Sequence, residues 1–395
     1  MANDASMVVG VVGAGAMGAG IAQVAASAGH RVVLADMAQS AVERARQGMR
    51  KALLRDVEKG RIDAAAMDAV LGRLTDAGDL AAGYEAFADC DIVIEAVLED
   101  LGAKQALFAD LEKVVRRDCM LATNTSSLSV AAIGGGCRIP GRVVGVHFFN
   151  PAPVMPLVEI VPAITTEPEV LARANDLVTS WKKTTVVASD TPGFIVNRIA
   201  RPFYGESLRQ LEEGMADVAT IDWAMRDIGG FRMGPFELMD FIGNDVNYAV
   251  TRSVFEAFYY DPRYKPAITQ RRLVEAGLYG RKRERGYYDY RTAAARLEPT
   301  RDERVGRAIV DRVLAMLVNE AVDAVHMRVA SANDIETAMT KGVNYPKGLL
   351  AWGDEIGPAT ILARLEALQA DYGEDRYRPS PLLRKRVREN RPLLS

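Results

Sequence analysis

The chain has 395 residues, 49% hydrophobic and 26% charged, the composition of an ordinary globular protein of two or three domains with ample core. Its 49 basic and 52 acidic residues leave a formal charge of −3, so no nucleic-acid partner is expected, and an anionic ligand needs a local basic site or a helix N-terminus. Cys90, Cys119 and Cys137 form no CxxC, no run approaches the roughly 18 apolar residues of a membrane span, and MANDASMVVG has no leader pattern; a reduced, cytoplasmic protein without metal or membrane partner is expected.

In chain order, residues 7–12 (MVVGVV) read as a short buried strand. Gly13-Ala14-Gly15-Ala16-Met17-Gly18 follows and opens a helix of small residues that stops at Gly29. A second strand, 31–36, ends on Asp36. A lone GxGxxG says little. Between a strand and a helix, with an acid 18 residues past its last glycine, it specifies a dinucleotide site. The glycines let the backbone approach a pyrophosphate, which the helix N-terminus attracts. Asp36 can accept hydrogen bonds from ribose hydroxyls and would repel a 2′-phosphate, so NAD is expected rather than NADP. A structural glycine turn is the plain alternative. Residues 41–59 read as a helix rich in cations (Arg44, Arg46, Arg50, Lys51, Arg55, Lys59), either a solvated face or a contact surface for nucleotide phosphates.

Strand signals return at 90–97 (CDIVIEAV), followed by Glu99 and a helix with Lys104, Leu107, Phe108 and Leu111. A strand at 119–123 leads into Asn124-Thr125-Ser126-Ser127, at the edge where open α/β sheets bind ligands. Ser126 or Ser127 could equally cap the next helix. From Val143 a β-branched strand runs to His147, and Asn150-Pro151 ends its ladder. A second apolar run, 154–161, carries one acid, Glu159. His147 is one of three histidines, and imidazole beside a lone carboxylate suits a general base and its orienting partner. A satisfied core histidine and a strand-end glutamate are the plain alternative. The alternation of strands and helices implies a doubly wound α/β sheet.

After Asp190-Thr191-Pro192-Gly193 the pattern turns helical, and the chain repeats itself at a shift of 114 residues: Glu206 falls on Glu320, Gly234 on Gly348, Asp240 on Asp354 and Asp261 on Asp375. Asp217 and Ser331 both stand as N-caps. The expected organisation is an N-terminal Rossmann-type domain (1–187), a first all-α copy (188–290), a linker (291–304) and a second all-α copy (305–395). Asn197 maps to Asp311 and Gly193 to Arg307, so the first copy should complete a site and the second should be structural. A pair of copies can bury a face that one copy would expose or use for dimerisation; a homodimer stays open.

With GAGAMGAGIA, NTSSLS, HFFNPAPVM…E and DTPGFIVNR in order, nearly the whole chain resembles the 3-hydroxyacyl-CoA dehydrogenase family. ARPFYGES, GNDVNYAV, GVNYPKGLLAWG and YGEDRYRPS are similar to its long bacterial branch associated with phenylacetate degradation, which acts on 3-hydroxyadipyl-CoA or 3-hydroxybutyryl-CoA. That branch usually carries a longer insert between the copies, and the family often has lysine where this chain has Pro156. The resemblance implies oxidation of a 3-hydroxyacyl-CoA thioester to a 3-oxoacyl-CoA with NAD. His147 would be the base, Glu159 its partner, and Ser126 and Asn197 the contacts of the substrate. Ser126, Asn150, Asp36, Glu99 and Lys104 would meet the cofactor, as would the loop Gly13, Ala14, Gly15, Ala16, Met17 and Gly18. Lys282, in GRKRERGYYDY, is a further cofactor candidate, and Lys59 is the cation for CoA. Arg201, four residues after Asn197, is a candidate for the distal carboxylate of a dicarboxylyl substrate, against the plainer reading of an ion pair with a neighbouring helix. Other readings are a dehydrogenase of a free 3-hydroxy acid or polyol, and a non-catalytic NAD-binding or redox-sensing protein.

Overall fold

The computed structural model describes residues 6–77, 80, 83–291 and 297–394, and divides into two compact units, 1–191 and 192–395. Residues 292–296 of the expected linker lie outside the described set.

Unit 1 begins β1 (Val8–Val12), α1 (Ala16–Ser27), β2 (Arg31–Ala35), α2 (Gln39–Glu58), α3 (Ala64–Gly72) and β3 (Leu74–Asp76). It continues with β4 (Ile92–Glu95), α4 (Leu101–Val114), β5 (Met120–Thr123) and α5 (Val130–Gly134). It closes with β6 (Val143–Phe148), β7 (Leu157–Pro162), α6 (Pro168–Ser180) and β8 (Thr184–Val187). The strands form one sheet in the order β3-β2-β1-β4-β5-β6-β7-β8. From β3 to β6 all neighbours are parallel, and β7 runs antiparallel to β6. This is the doubly wound α/β arrangement. Val9, Val11, Ile92, Ile94, Met120 and Val144 are wholly buried, as expected where helices cover both faces of a sheet. β3 and β8, three and four residues long, are too short to stand out from the sequence. β7 starts at Leu157 rather than Val154, because Val154 and Met155 turn back on Pro151 through bonds to its carbonyl.

Gly29 follows α1 with φ +102°, the left-handed value that suits glycine after a helix end. Cys90 and Cys119 are buried free thiols, and burial pushes both up to about 12, so they are inert.

Unit 2 is helical. Its first copy comprises α7 (Val196–Ile199), α8 (Arg201–Glu212), α9 (Val218–Trp223), α10 (Pro235–Ile242), α11 (Asn244–Ala257) and α12 (Ile268–Glu275). The second comprises α13 (Glu303–His326), α14 (Ala332–Gly342), α15 (Leu349–Ile356), α16 (Pro358–Tyr372) and α17 (Pro381–Arg388). α13 packs on α8, α15, α16 and α17 and is apolar on several faces, as a central helix must be.

The repeat extends to single hydrogen bonds. Asp217 caps α9 and Ser331 caps α14. Asp222 accepts from Phe236 N and Glu237 N at 2.9 Å, and its counterpart Glu336 accepts from Leu350 N and Ala351 N. Asp240 accepts from Tyr287 N and Tyr288 N, and Asp354 from Leu393 N and Leu394 N.

The copies also bind each other reciprocally. Arg198 donates to Glu320 at 2.7 Å, and its counterpart Arg312 donates to Glu206, the counterpart of Glu320, at 3.0 Å. Tyr264 donates to Glu320, and Tyr377 to Glu206. Such mutual pairing is the signature of an isologous interface, here between two halves of one chain. Burial alone would push both glutamates up. The guanidinium groups of Arg209 and Arg312 at Glu206, and of Arg198 and Arg263 at Glu320, outweigh it and hold both below the usual range.

Candidate active site

β1 delivers the chain to Gly13, whose φ of +103° lets the loop turn into α1. A Cβ on Gly13 would lie 2.4 Å from the Ala96 carbonyl oxygen, and one on Gly18 only 1.7 Å from that of Gly13. A Cβ on Gly15 would meet nothing within 4 Å. Two glycines thus seal the loop against the protein, and the third faces open space that a pyrophosphate can enter. Beside it is a cleft of about 610 Å³ lined by Gly13, Gly15, Asp36, Met37, Leu98 and Tyr84. Asp36 accepts from Ala14 N at 2.8 Å and Ala38 N at 3.0 Å, one per oxygen, so each oxygen keeps a lone pair for a ribose hydroxyl. Loop, acid and cleft fit a dinucleotide. Met37 and Leu98, 73% and 83% exposed, supply apolar walls that sequence patterning does not flag.

The carboxyl ends of β4 and β5 form the next part. Glu95 ends β4 fully buried, accepts from Thr123 Oγ1 at 2.7 Å and pairs with the buried Lys104 Nζ. Lys104 also lies 3.2 Å from Glu99. Glu99 Oε1 accepts from Thr125 Oγ1 at 2.6 Å, from Ser126 N at 3.0 Å and from Ser127 N at 3.1 Å. Partial burial pushes the Glu99 carboxyl up, but Lys104 and these donors hold it below the usual range. Lys104 is therefore committed to two carboxylates in the floor of the site. Glu99 shapes the loop that carries Ser126, whose hydroxyl makes no hydrogen bond among the described residues. Glu95, missed from the sequence, carried the same signal as Glu159, a lone acid in an apolar strand.

Neither Ser126 nor Ser127 caps the following helix. Ser129 caps α5, and Asp190 accepts from Val130 N at 2.9 Å and Ala131 N at 2.8 Å, reinforcing that N-terminus. Asn124, also unassigned from the sequence, accepts from Phe148 N at 2.8 Å and ties the serine loop to the end of β6.

β6 and β7 set His147 directly opposite Glu159 in their antiparallel register. Nδ1 of His147 lies 2.6 Å from Glu159 Oε2. His147 is 5% exposed and Glu159 fully buried. An ionised carboxylate at that distance keeps a proton on Nδ1, so in the neutral ring Nε2 is the basic nitrogen. The sequence spacing of 12 could not show the register; the turn through Pro151 and Pro153 determines it.

The remaining candidates are spread more widely. Asn150 is exposed on the loop after β6, before the cis peptide to Pro151, and Lys59 is the exposed C-cap of α2. Lys282, in unit 2, donates to Asp245 at 2.7 Å and so already has a carboxylate partner. Asn197 is half-buried on α7. Arg201 is buried at the start of α8 and donates to Thr251 Oγ1 at 3.0 Å; no ion pair with a neighbouring helix exists for it among the described residues. No helix of the described residues is long and apolar enough to cross a membrane, and no cluster of His, Cys, Asp and Glu there could hold a metal.

Residues 8–191 match the family model described as "3-hydroxyacyl-CoA dehydrogenase, NAD binding domain". Residues 193–290 and, again, 309–393 match "3-hydroxyacyl-CoA dehydrogenase, C-terminal domain". The chain is 41% identical to a 3-hydroxyadipyl-CoA dehydrogenase of Escherichia coli K12, over 96% of this chain and 97% of that one. It is 39% identical to a 3-hydroxybutyryl-CoA dehydrogenase of Mycobacterium tuberculosis, over 73% of this chain and all of that one. A crystal structure described as 3-hydroxybutyryl-CoA dehydrogenase from Escherichia coli K12 superposes with a TM-score of 0.91 at 39% identity, covering 97% of this chain and 98% of that one.

Proposed function

The chain belongs to the 3-hydroxyacyl-CoA dehydrogenase family and is an NAD-dependent oxidoreductase, and from that premise we propose that His147 is its base and a short 3-hydroxyacyl-CoA, 3-hydroxyadipyl-CoA or 3-hydroxybutyryl-CoA, its substrate. The observation that carries the first part is the 2.6 Å contact from Nδ1 to Glu159. It leaves Nε2 as the nitrogen that takes the 3-hydroxyl proton. Glu159 then stabilises the imidazolium, and in reverse the imidazolium protonates the developing alkoxide. Held by the glycine loop, NAD would supply the acceptor for the hydride of C3. The Gly13–Gly18 loop and Asp36 hold the dinucleotide, and Asn150 lies by the nicotinamide. Ser126 and Asn197 orient the 3-hydroxyl and thioester, and Lys59 meets a CoA phosphate. Glu99 and Lys104 shape the serine loop, and Lys282 is left as a minor cofactor contact.

The second helical copy is structural in this reading. Its reciprocal pairs with the first do inside one chain what a dimer interface does between subunits. The reading also places the enzyme in the cytoplasm.

The test follows nicotinamide reduction with NAD and a panel of 3-hydroxyacyl-CoAs, with free 3-hydroxy acids beside them. We expect turnover that needs the CoA thioester, and a loss of about 10²- to 10⁴-fold in His147→Gln with NAD binding retained. Near-normal turnover in His147→Gln would remove His147 from the mechanism. Turnover of free acids alone would overturn the substrate class.

A further inference from the structure

Arg201 stands apart from the other buried arginines. Among the described residues Arg142, Arg198, Arg209, Arg263, Arg312 and Arg376 all pair with carboxylates. Arg201 pairs with none. It is 6% exposed, its Nη1 donates to Thr251 Oγ1, its Nε is buried without a hydrogen bond, and it lies 5.0 Å over the Tyr204 ring. Guanidinium keeps its charge in proteins, so a buried one without an anion is an unmet demand. Tyr345, contributed by the second copy, lies within electrostatic range, and its buried hydroxyl also has no hydrogen-bond partner among the described residues.

The internal repeat provides a control for whether this polar niche is needed for folding. Arg201 is surrounded by a chain of polar contacts: Thr251, then Gln270, whose Nε2 lies 3.4 Å from Thr251 Oγ1, then Asn247 Oδ1 at 2.6 Å from that nitrogen. At the 114-residue shift Arg201, Asn247 and Thr251 become Ala315, Ile361 and Leu365. The second copy is one residue shorter after Asp375, and there Gln270 becomes Leu383. All four counterparts are wholly buried. The same helical unit therefore closes with four apolar residues where the first copy holds a cation and three polar groups. Packing does not require the niche, and keeping a charge in it costs stability.

We propose that Arg201 and the Tyr345 hydroxyl form a receptor for the distal carboxylate of a dicarboxylyl-CoA, which makes Arg201 the specificity residue for acyl chains that end in an acid. The proposal rests on the 3-hydroxyacyl-CoA reading above and on Asn197 as a substrate contact. Arg201 lies four residues beyond Asn197, at the start of α8 where Asn197 is on α7. Ala200, at φ −76° and ψ −8°, ends α7 and begins α8, so Arg201 opens the next helix one residue past the break. In a six-carbon diacid C3 and the distal carboxyl carbon are three bonds, about 4 Å, apart. A guanidinium fork and a phenol can together donate three hydrogen bonds to one carboxylate. The second copy then contributes an atom to substrate recognition as well as packing.

The test compares kcat/KM for 3-hydroxyadipyl-CoA with that for 3-hydroxyhexanoyl-CoA, equal in chain length but lacking the second acid. The wild type is expected to favour the diacid. In Arg201→Met the ratio of the two should fall roughly 30- to 1,000-fold, the usual loss on truncating one partner of a buried charge pair. Tyr345→Phe should lower it roughly 3- to 10-fold, and carries the test if Arg201→Met does not fold. No preference in the wild type, or equal losses on both thioesters in the variants, would overturn the proposal while leaving the dehydrogenase reading intact. Failure of the wild type on every thioester would overturn that reading and the proposal with it.

Discussion

Glu159→Gln removes one charge from a wholly buried strand position and changes little else in size. In the step proposed for His147 the imidazole becomes imidazolium 2.6 Å from that carboxylate. With charge centres about 4 Å apart and an effective dielectric near 20, their attraction is about 4 kcal/mol. The amide oxygen can still accept from Nδ1–H, which returns about 1 kcal/mol. The net loss of about 3 kcal/mol corresponds to a rate reduction of roughly 10²-fold, rising toward 10³-fold where the amide flips and enforces the wrong tautomer. The assay is nicotinamide absorbance at saturating NAD and thioester, with NAD affinity measured separately. The expected result is a kcat lowered by that factor and an unchanged NAD dissociation constant, since Glu159 lies outside the glycine loop. A kcat within about fivefold of wild type, under 1 kcal/mol, would refute the electrostatic argument.

Three further outcomes follow from the geometry. Gly18→Ala puts a Cβ 1.7 Å from a rigid backbone oxygen, so α1 must move; NAD affinity should fall about 10- to 100-fold, and an unchanged titration would refute the fit of the loop. Glu320→Gln leaves the buried Arg198 and Arg263 sharing Asp323 as their remaining ion-pair partner among the described residues, and should destabilise unit 2 by about 3–5 kcal/mol in urea unfolding; a change below about 1 kcal/mol would show the network to be unimportant. Glu206 and Glu320 have folded-state pKa values below the unfolded reference of 4.5, so their stabilisation is complete above that pH and is lost as pH falls through the depressed values. The urea midpoint should therefore drop steeply below about pH 4.5, and a flat midpoint down to about pH 3 would contradict the pairing.

What was legible in the sequence is what depends on local chemistry. Gly13, Gly15, Gly18 and Asp36 announced a dinucleotide loop because backbone clearance and charge are properties of residue types at short spacing. The strand and helix alternation announced the doubly wound sheet because the apolar period is local. The repeat announced two like helical copies because a gapless shift is visible without coordinates. Three-dimensional proximity was not visible. That Glu159 faces His147 was a guess until strand register decided it, since a one-residue slip would have turned the acid to the other face of the sheet. Lys104 enters from the sequence only as a cofactor contact that the resemblance implies, and its burial is not visible there; the structure sets it beneath the serine loop, between Glu95 and Glu99. Arg201 read most simply as half of an ion pair. Only the tertiary structure showed a buried cation without an anion, because the residues around it come from α8, α11, α12 and the loop after α14, which the chain brings together only when both copies pack.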